Sequence, residues 1–327
     1  VACRLPPFSS DASGETHQAN RSDKERGEPL LDDPFMGEPL LDDRRRLAGT
    51  SETELLRQRG PNMSRQHLFT PEQLQQYEEI GFVIQRGLFD AEEVEILRRV
   101  AKTDQSIEQE ALQRDDGEGG VTQLRLWNEA GDDLYGTIAR NERIVDPIEQ
   151  VLGGEAYYYH SKMNFKEPRT GGAWAWHQDY GYWYDNGCLF PRMASCLIAV
   201  DPCTKENGCL QVLPGSHHLG RINHGKVGDQ TGADPERVEE ACKRLELVYC
   251  LMEPGDAVFF HCNLLHRSDQ NKSAHPRWSY ICCYNAARNN PYKESKHPRY
   301  TPLRKTSLAA IKDWGQANPT SESVSPS

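Results

Sequence analysis

The stretch Ala257–Asn271 reads AVFFHCNLLHRSDQN and directly follows a Pro-Gly-Asp turn. Residues 257–260 are apolar, and a short apolar run bounded by turn residues is typical of a buried strand. Further β-rich runs with turn signals between them lie on both sides of this one, at 156–165, 193–201, 209–213, 246–252 and 278–284. Many short strands separated by turns predict an antiparallel sandwich or barrel.

Segments with helix signals precede these strands. Residues 70–73 read TPEQ, which supplies an N-cap, a proline at the first helical position and a capping-box glutamine. That helix is expected to run to Ile80. A second helix is expected after Asp90, and a third over 141–152. Helices first and strands afterwards predict an α+β protein with helices framing its N-terminal side.

Both ends of the chain differ from its middle in composition. Residues 1–62 are rich in Ser, Gly, Pro and charged residues, and they contain the sequence GEPLLDD at 27–33 and again at 37–43. Such a composition cannot bury enough apolar surface to offset the entropy of ordering, so a disordered, low-complexity tail is predicted there. We expect the folded domain over 63–312 and a flexible C-terminal tail over 313–327.

Charge and cysteine usage limit the partners and the compartment. The 327 residues carry a formal net charge of −11, whereas nucleic acids and anionic membranes attract basic surfaces. The longest apolar run is too short to cross a bilayer. Nine of the ten cysteines lie between Cys188 and Cys283, without a CxxC motif, which favours buried, reduced thiols. We therefore expect an intracellular, cytoplasmic protein with no obligate protein partner, with the peroxisome or another organelle left open.

A tripeptide HQD carries the first chemical signal. In an extended segment alternate side chains share a face, so His177 and Asp179 are expected to point to the same side of a sheet. Either His261 or His266, from a distant strand, would complete a set of two histidines and one carboxylate. Such a set leaves three positions open on iron(II), enough for a bidentate cosubstrate and dioxygen. Arg277, eleven residues beyond His266, is suited to binding a carboxylate through two hydrogen bonds.

The tripeptide belongs to a longer series of motifs. The series is HQD at 177–179, PGSH at 214–217, PGD at 254–256, FFH…LLHRSDQN at 259–271 and PR at 276–277. In order and spacing it resembles the phytanoyl-CoA dioxygenase family, which includes ectoine hydroxylase, over residues 68–302. The resemblance implies a double-stranded β-helix, that is, a jelly-roll or cupin-like core. It also implies that the domain at 63–312 is an iron(II)- and 2-oxoglutarate-dependent dioxygenase that uses O2 to hydroxylate a small organic substrate.

The resemblance further implies the metal ligands. His177, Asp179 and His266 are the implied iron ligands and the catalytic centre, and the family spacing to Arg277 selects His266 over His261. The competing interpretation of each histidine is a hydrogen-bonded core residue beside an unrelated aspartate.

A second group of residues is implied to hold the cosubstrate. Arg277 is the implied partner of the far carboxylate of 2-oxoglutarate, with Ser268 assisting it. Asn164 and Trp183 match positions that contact the cosubstrate in ectoine hydroxylase-like members. One departure is Arg267, where relatives carry a small residue between the histidine and the serine, and this puts the local shape of the pocket in doubt.

Other polar and aromatic groups leave alternatives open. His217 and His218 follow a Pro-Gly-Ser turn and are expected to stabilise it rather than bind a metal. Lys162 and Lys166 either direct a charge towards the pocket or lie on a solvated edge. The aromatic residues around His177 form either a pocket wall or packing contacts, and they are Trp174, Trp176, Tyr180, Tyr182, Trp183 and Tyr184.

Two other classes of function compete with the oxygenase. A metal-dependent hydrolase or isomerase on a similar barrel would have no use for Arg277 and Ser268. A non-catalytic binding protein that kept the fold would not need the intact ligand set, and a catalytically inactive or differently active metal-binding jelly roll stays an alternative. Among substrates, the acidic charge and the aromatic residues around His177 favour a compact molecule, with an amine as one option, over an acyl-CoA. An acyl-CoA hydroxylase stays the alternative.

Overall fold

The computed structural model describes residues 67–227 and 229–319. The low-complexity tail predicted at 1–62, with its repeated GEPLLDD, lies outside the described residues, as does the chain from 320 onwards. In the described ranges, no helix combines the length and the apolarity that crossing a bilayer requires.

Helices frame the N-terminal side, as the sequence predicts. Those ahead of the long strands are α1 (Pro71–Ile80), α2 (Ala91–Thr103), α3 (Gln105–Gln109), α4 (Leu134–Ala139) and α5 (Glu142–Leu152). The capping box predicted at Thr70 is present, and Asp90, after which the second helix is expected, forms one as well. Helix α1 ends at Gly81, whose φ of 86° lies in the left-handed region that glycine adopts without strain.

Most of the strands form one large sheet, with the order β1-β11-β6-β13-β4-β3-β2. Its strands are β1 (Phe82–Gln85), β2 (Leu112–Asp115), β3 (Val121–Trp127), β4 (Ala156–Lys166), β6 (Met193–Ala199), β11 (Ala257–His261) and β13 (Arg277–Ala286). Neighbouring strands in it are antiparallel.

A smaller antiparallel sheet has the order β10-β7-β12-β5. Its strands are β5 (Trp174–His177), β7 (Leu210–Val212), β10 (Val248–Tyr249) and β12 (His266–Ser268). The remaining elements are the hairpin of β8 (His224–Val227) and β9 (Gln230–Ala233) and the helices α6 (Asp179–Trp183), α7 (Pro235–Arg244) and α8 (Ala310–Ala317).

Alternation along strand β13 separates two cores. Tyr280 and Cys282 pack into a cluster with the framing helices, whereas Ile281 and Cys283 pack into a cluster that includes residues of the small sheet. Because successive side chains of a strand point to opposite faces, one strand supplies both clusters. The α+β prediction, with framing helices and an antiparallel double sheet, is confirmed.

Three details of the fold differ from the sequence predictions. Asp179 does not share a strand with His177, because the strand ends at His177 and α6 begins two residues later. Residues 313–317, expected as the start of a flexible C-terminal tail, are helical, since α8 continues to Ala317 and buries Ile311 against the core. The hairpin of β2 and β3 was not predicted, because β2 is exposed along its whole length and lacks a clear apolar alternation.

Candidate metal centre

Three buried side chains converge where the small sheet meets helix α6. His177 ends strand β5, Asp179 opens α6 and His266 opens strand β12. The two strands are neighbours, and His266 lies opposite His177 in their register. One potential ligand atom from each residue lies within 4.8 Å of the other two. The structure therefore brings together the three residues that the sequence singled out.

Backbone carbonyl groups fix the orientation of both imidazoles. The Nδ1 atoms of His177 and His266 each lie 2.8 Å from the carbonyl oxygen two residues upstream, at Ala175 and Leu264. A nitrogen that donates to a carbonyl carries the proton, so Nε2 of a neutral ring keeps its lone pair. Burial lowers the pKa of both histidines, which favours the neutral form that binds metals.

The carboxylate of Asp179 is held from two sides. Ser195 Oγ donates to Oδ2 at 3.0 Å, and Lys162 Nζ lies 3.7 Å from Oδ1. Burial alone would raise the pKa of this carboxyl, but Lys162 and the neighbouring imidazoles outweigh it and hold the pKa well below its ordinary value. The side chain is therefore ionised, and Lys162, which the sequence left undecided, faces the candidate metal centre.

The three groups fit a divalent transition metal. Two neutral imidazole nitrogens and one carboxylate oxygen are the donor set of non-haem iron(II) sites, and three ligands leave positions open. Each of the three side chains also has a supporting hydrogen bond, as metal ligands usually do. Among the residues that the structure describes, no other group of His, Cys, Asp or Glu side chains is arranged in this way.

A cavity of about 240 Å³ lies in front of the three residues, between the two sheets. Its polar lining residues besides the three are Arg114, His160, Lys162, Asn164, Ser268, Arg267, Arg277 and His297. Its apolar and aromatic lining residues are Leu112, Leu124, Leu126, Trp174, Tyr182, Trp183, Leu197, Leu210, Phe260 and Ile281. A few converging polar groups in an apolar cleft are typical of a small-molecule site.

Arg277 is the buried cation of this cavity. It is 3% exposed, its Nη1 donates to Ser279 Oγ at 2.9 Å and its Nη2 donates to the carbonyl of Gly208 at 2.9 Å. The Nε atom is buried without a hydrogen-bond partner. Burial lowers the pKa of the guanidinium, which nevertheless stays charged at neutral pH. A buried cation with an unused donor is expected to meet an anion in the cavity.

The other residues implied to hold the cosubstrate reach the same cavity. Ser268 and Asn164 are buried and line it, and Trp183 lines it from helix α6. Trp174 Nε1 donates to Asn164 Oδ1 at 3.4 Å, so the amide of Asn164 is held from one side. Arg267, the departure from the family pattern, also lines the cavity and contacts the carboxylate of Asp269.

Some of the aromatic residues around His177 form the wall of the cavity, and the others make packing contacts or are exposed. The members that line the cavity are Trp174, Tyr182 and Trp183. Trp176 packs into a cluster beside α7, and Tyr180 is buried with its hydroxyl donating to a backbone carbonyl. Tyr184 is exposed. The pocket-wall interpretation therefore applies to half of the cluster.

The remaining histidines that competed as ligands have structural contacts. His261 Nδ1 accepts from the backbone of Asn263, and its ring lies among Tyr77 and His217. Nε2 of His217 lies 2.9 Å from the carbonyl oxygen of Glu78, at the end of helix α1. His218 makes a similar contact one residue further along α1. These positions agree with the expectation that His217 and His218 stabilise a turn.

Sequence reasoning missed the wall that the β2–β3 hairpin contributes. Leu112 and Arg114 alternate along β2, and Leu124 and Leu126 alternate along β3, so that all four face the cavity. Strand β2 contributes only one leucine to this set, so its sequence shows no clear apolar alternation. His160 and His297 were also missed, and His297 lies far from the motifs along the chain.

The charges of the cavity lining bear on the charge of the substrate. Its permanent cations among the described residues are Arg114, Lys162, Arg267 and Arg277, against the single carboxylate of Asp179. A lining with more cations than anions disfavours a cationic ligand, whatever the net charge of the whole chain. These charges favour a substrate that carries an anionic group, and an amine in the same molecule stays a prediction.

The similarity to known proteins agrees with the geometry. The sequence model of the phytanoyl-CoA dioxygenase family matches residues 77–279, more than half of the chain. The L-proline trans-4-hydroxylase of Streptomyces griseoviridis is 32% identical over 183 residues, which cover 51% of this chain and 68% of the relative. The ectoine dioxygenase of Bordetella parapertussis is 28% identical over 246 residues, which cover 70% of this chain and 80% of the relative.

Solved structures share the fold. The apoform of EctD from S. alaskensis superposes with a TM-score of 0.63 at 24% identity, covering 75% of this chain and 90% of its own. The non-haem α-ketoglutarate-dependent epimerase SnoN of nogalamycin biosynthesis superposes with a TM-score of 0.54 at 21% identity, covering 72% of this chain and 93% of its own.

Proposed function

Because the chain belongs to the phytanoyl-CoA dioxygenase family, we propose that His177, Asp179 and His266 hold its catalytic iron. The chain is an iron(II)- and 2-oxoglutarate-dependent dioxygenase that hydroxylates a small organic substrate with O2. The observation that carries the residue assignment is the convergence of the three side chains in the cavity that also contains Arg277. When bound, the iron supplies open coordination positions at which the cosubstrate and dioxygen react.

In this proposal, hydrogen bonds within the protein orient the three ligand side chains before the metal binds. The carbonyls of Ala175 and Leu264 hold the two imidazoles in the tautomer that leaves Nε2 free. Ser195 and Lys162 keep the carboxylate of Asp179 ionised and oriented. Because these contacts exist within the protein, little rearrangement is needed on binding, and the geometry of the site does not depend on the metal alone.

We assign the far carboxylate of 2-oxoglutarate to Arg277. Two of its nitrogens are bound to Ser279 and Gly208, which fixes the guanidinium plane, and the remaining buried Nε is available to an anion. A charge-assisted hydrogen bond in a buried position is strong and directional. Ser268, which lines the cavity beside the third iron ligand, is proposed to donate to the same carboxylate.

Asn164 and Trp183 are proposed to position the cosubstrate from strand β4 of the large sheet and from helix α6. Both line the cavity, and the amide of Asn164 is held by Trp174. Leu197, Phe260 and Ile281 complete the inner wall, and their apolar surface excludes water from the reacting groups. Exclusion of water strengthens the contacts of Arg277 with its ligand.

The cavity suits a compact substrate. Its volume of about 240 Å³ is below the usual range for a drug-sized ligand, and part of it is reserved for 2-oxoglutarate. The relatives named above act on L-proline and on ectoine, both small molecules. A small organic acid or amino acid is therefore the proposed substrate, in preference to an acyl-CoA.

We propose a reducing, intracellular compartment, with the cytoplasm as the first choice. None of the nine cysteines in the described ranges forms a disulfide, which is usual where thiols stay reduced. The net charge of −11 argues against nucleic acid as a partner.

The proposal is tested by anaerobic addition of iron(II) and then 2-oxoglutarate to the purified protein. We expect a weak visible charge-transfer band that needs both additions, and we expect it to be lost in Asp179→Ala. Ser273→Ala, a substitution in a partly exposed turn outside the cavity lining, is the control and should retain the band. Metal binding without any spectral response to 2-oxoglutarate would rule out the assignment of this site.

A further inference from the structure

We propose that Arg114, on the hairpin that closes the outer end of the cavity, binds an anionic group of the substrate. The substrate class that follows is a small carboxylate, phosphate or phosphonate with a compact apolar body. This inference rests on the proposed function, since it names the substrate of the same site.

The position of Arg114 follows from the strand register. Leu112 pairs with Leu124, Leu124 pairs with Asn164, and Asn164 pairs with Ser279, so these side chains lie in one row on one face of the large sheet. Arg114 is two residues beyond Leu112 and therefore on the same face. It lines the cavity together with the leucines of the hairpin.

The backbone of Arg114 is fixed although its side chain is exposed. Thr122, its partner across the hairpin, donates from Oγ1 to the carbonyl of Arg114 at 3.1 Å. Arg114 also lies close enough to Tyr182, on the facing wall, to lower the pKa of that phenol, against the larger opposing effects of burial and Asp179. The guanidinium is therefore near helix α6 at the mouth of the cavity.

Among the described residues, Arg114 is a cation of the lining that has no ion-pair partner and no assignment to the cosubstrate. Lys162 faces Asp179, Arg267 contacts Asp269, and Arg277 is assigned to the cosubstrate. In the described part of the chain, by contrast, no carboxylate lies within ion-pairing distance of Arg114. An uncompensated guanidinium beside apolar surface attracts an anion that carries an apolar body.

The acidic residues nearest to Arg114 along the chain are engaged elsewhere. Asp115 accepts from the backbone of Gly117, and Asp116 accepts from the backbone of Gly120 and Ala173. These contacts build the turn of the hairpin. The guanidinium is therefore not neutralised by its own neighbours and stays available to a ligand.

A polar contact for the rest of the substrate is present on strand β4. His160 is 4% exposed, lines the cavity and has a buried Nδ1 without a hydrogen-bond partner. His297 lies beside it, with the ring centroids 4.9 Å apart. Burial, followed by the charge of Lys162, lowers the pKa of His160, so the ring is neutral and offers a hydrogen bond rather than a charge. Arg114 is thus left as the group that selects the charge of the substrate.

The experiment measures binding rather than turnover, because the natural substrate is unidentified. The iron(II)·2-oxoglutarate complex is formed anaerobically and titrated with matched pairs that differ in one anionic group. The pairs are L-proline with L-prolinamide, 5-aminovalerate with its amide, and 2-aminoethylphosphonate with its diethyl ester. Perturbation of the charge-transfer band reports binding, and succinate formation in air reports productive binding.

We expect the anionic member of at least one pair to bind roughly tenfold more tightly than its neutral partner, as one added charge-assisted contact implies. Arg114→Ala should abolish this preference without changing the affinity for 2-oxoglutarate. Arg114→Lys should restore part of it. A preference confined to the carboxylates or to the phosphonate identifies which anion is bound.

Arg125→Ala is the matched control. Arg125 lies on the same hairpin but on its other face, between Leu124 and Leu126, and pairs with Glu110. Its loss removes an equal charge and should leave the anion preference intact. If the preference for the anionic ligand disappears equally in Arg114→Ala and Arg125→Ala, it reflects the overall positive charge of the hairpin, and the proposal is overturned.

Three further outcomes also overturn it. These are equal binding of both members in every pair, an anion preference that survives in Arg114→Ala, and weaker 2-oxoglutarate binding in Arg114→Ala, which would place Arg114 on the cosubstrate. Failure of the proposed function is recognised separately, because the charge-transfer band would then be missing before any substrate is added.

Discussion

At the inner end of the cavity the polar side chains are buried and held by neighbours, whereas at its outer end strand β2 of the hairpin presents the exposed side chains of Leu112 and Arg114. Asp179 is 2% exposed and Arg277 is 3% exposed, against 50% for Leu112. The contrast separates two tasks. The residues proposed to hold iron and the cosubstrate are buried, and Arg114, which is proposed to bind the substrate, lies on the edge strand of the large sheet.

The physical reason for the contrast is the cost of burying polar groups. A buried charge is tolerated only with partners, so the inner residues are surrounded by hydrogen bonds that also fix their geometry. An edge hairpin carries no such requirement, and its side chains can be replaced without disturbing the fold. Substitutions at the two ends are therefore expected to differ in kind as well as in size.

The largest expected effect is that of His266→Ala at the inner end. Loss of one of three ligands should remove tightly bound iron and abolish succinate formation, because a two-ligand site neither holds nor orients the metal. Metal analysis of the purified protein and a turnover assay check this. His261→Ala is the matched control, five residues upstream on the same segment, and should keep both properties. The reverse pattern would move the third ligand to His261.

The second effect is that of Arg277→Ala, which should weaken 2-oxoglutarate binding while iron binding persists. Removing a buried, charge-assisted contact costs on the order of 2–5 kcal/mol, equivalent to a loss of affinity of roughly 30-fold or more. Titration of the charge-transfer band measures it. Arg277→Lys should fall between the two, since it keeps the charge but not the fork that holds Ser279 and Gly208. Unchanged affinity in Arg277→Ala would remove this residue from the cosubstrate site.

A third prediction concerns the stability of the fold rather than the iron site. Asp256, from the PGD motif, accepts hydrogen bonds from Arg86 and from the backbone of Gly87 and Glu253. Burial raises the pKa of its carboxyl, but these hydrogen bonds outweigh burial and hold the pKa below its ordinary value. Asp256→Asn should lower the free energy of unfolding by about 1–3 kcal/mol at neutral pH, with the iron site unaffected.

The pH dependence of this effect has a definite sign. A carboxyl whose folded-state pKa is depressed stabilises the fold above its unfolded pKa, near 4, and the stabilisation is lost as the pH falls through the folded value. Denaturant titrations of the wild type and Asp256→Asn should therefore differ at pH 7, begin to converge near pH 4 and meet only below the depressed folded-state pKa. A difference that grows towards acid pH would contradict the assignment, and Glu253→Gln, which keeps the backbone donor, is the control.

The inner end could be predicted from the sequence because its signals are local and ordered. The HQD tripeptide, the histidine and serine of LLHRSDQN and the arginine of PR lie at fixed spacings, and short apolar runs mark the strands that carry them. The capping boxes at Thr70 and Asp90 gave the starts of two framing helices correctly for the same reason.

What could not be predicted depends on contacts between distant segments. Nothing local indicates that Lys162 faces Asp179 or that Arg277 binds the carbonyl of Gly208. Helix α6 is only five residues long and lacks a helical pattern of apolar residues. The sequence therefore predicts an extended conformation for Asp179, which in the structure begins this helix. The hairpin was missed because its apolar residues face a cavity and not a continuous core.

The smallest expected effect lies at the outer end, in Leu112→Ser. This side chain is half exposed, so its loss should change the free energy of unfolding by less than about 0.5 kcal/mol. It nevertheless lines the cavity, and burial of part of a leucine against a ligand contributes roughly 1 kcal/mol, or about fivefold in affinity. Titration of the charge-transfer band with L-proline measures the affinity, and denaturant unfolding measures the stability. Gln113→Ser, the next residue on the opposite face of β2, should change neither. If Leu112→Ser instead lowered the free energy of unfolding as much as Asp256→Asn, the hairpin would be needed for the stability of the fold. The division between a fixed inner end and a replaceable outer end would then be wrong.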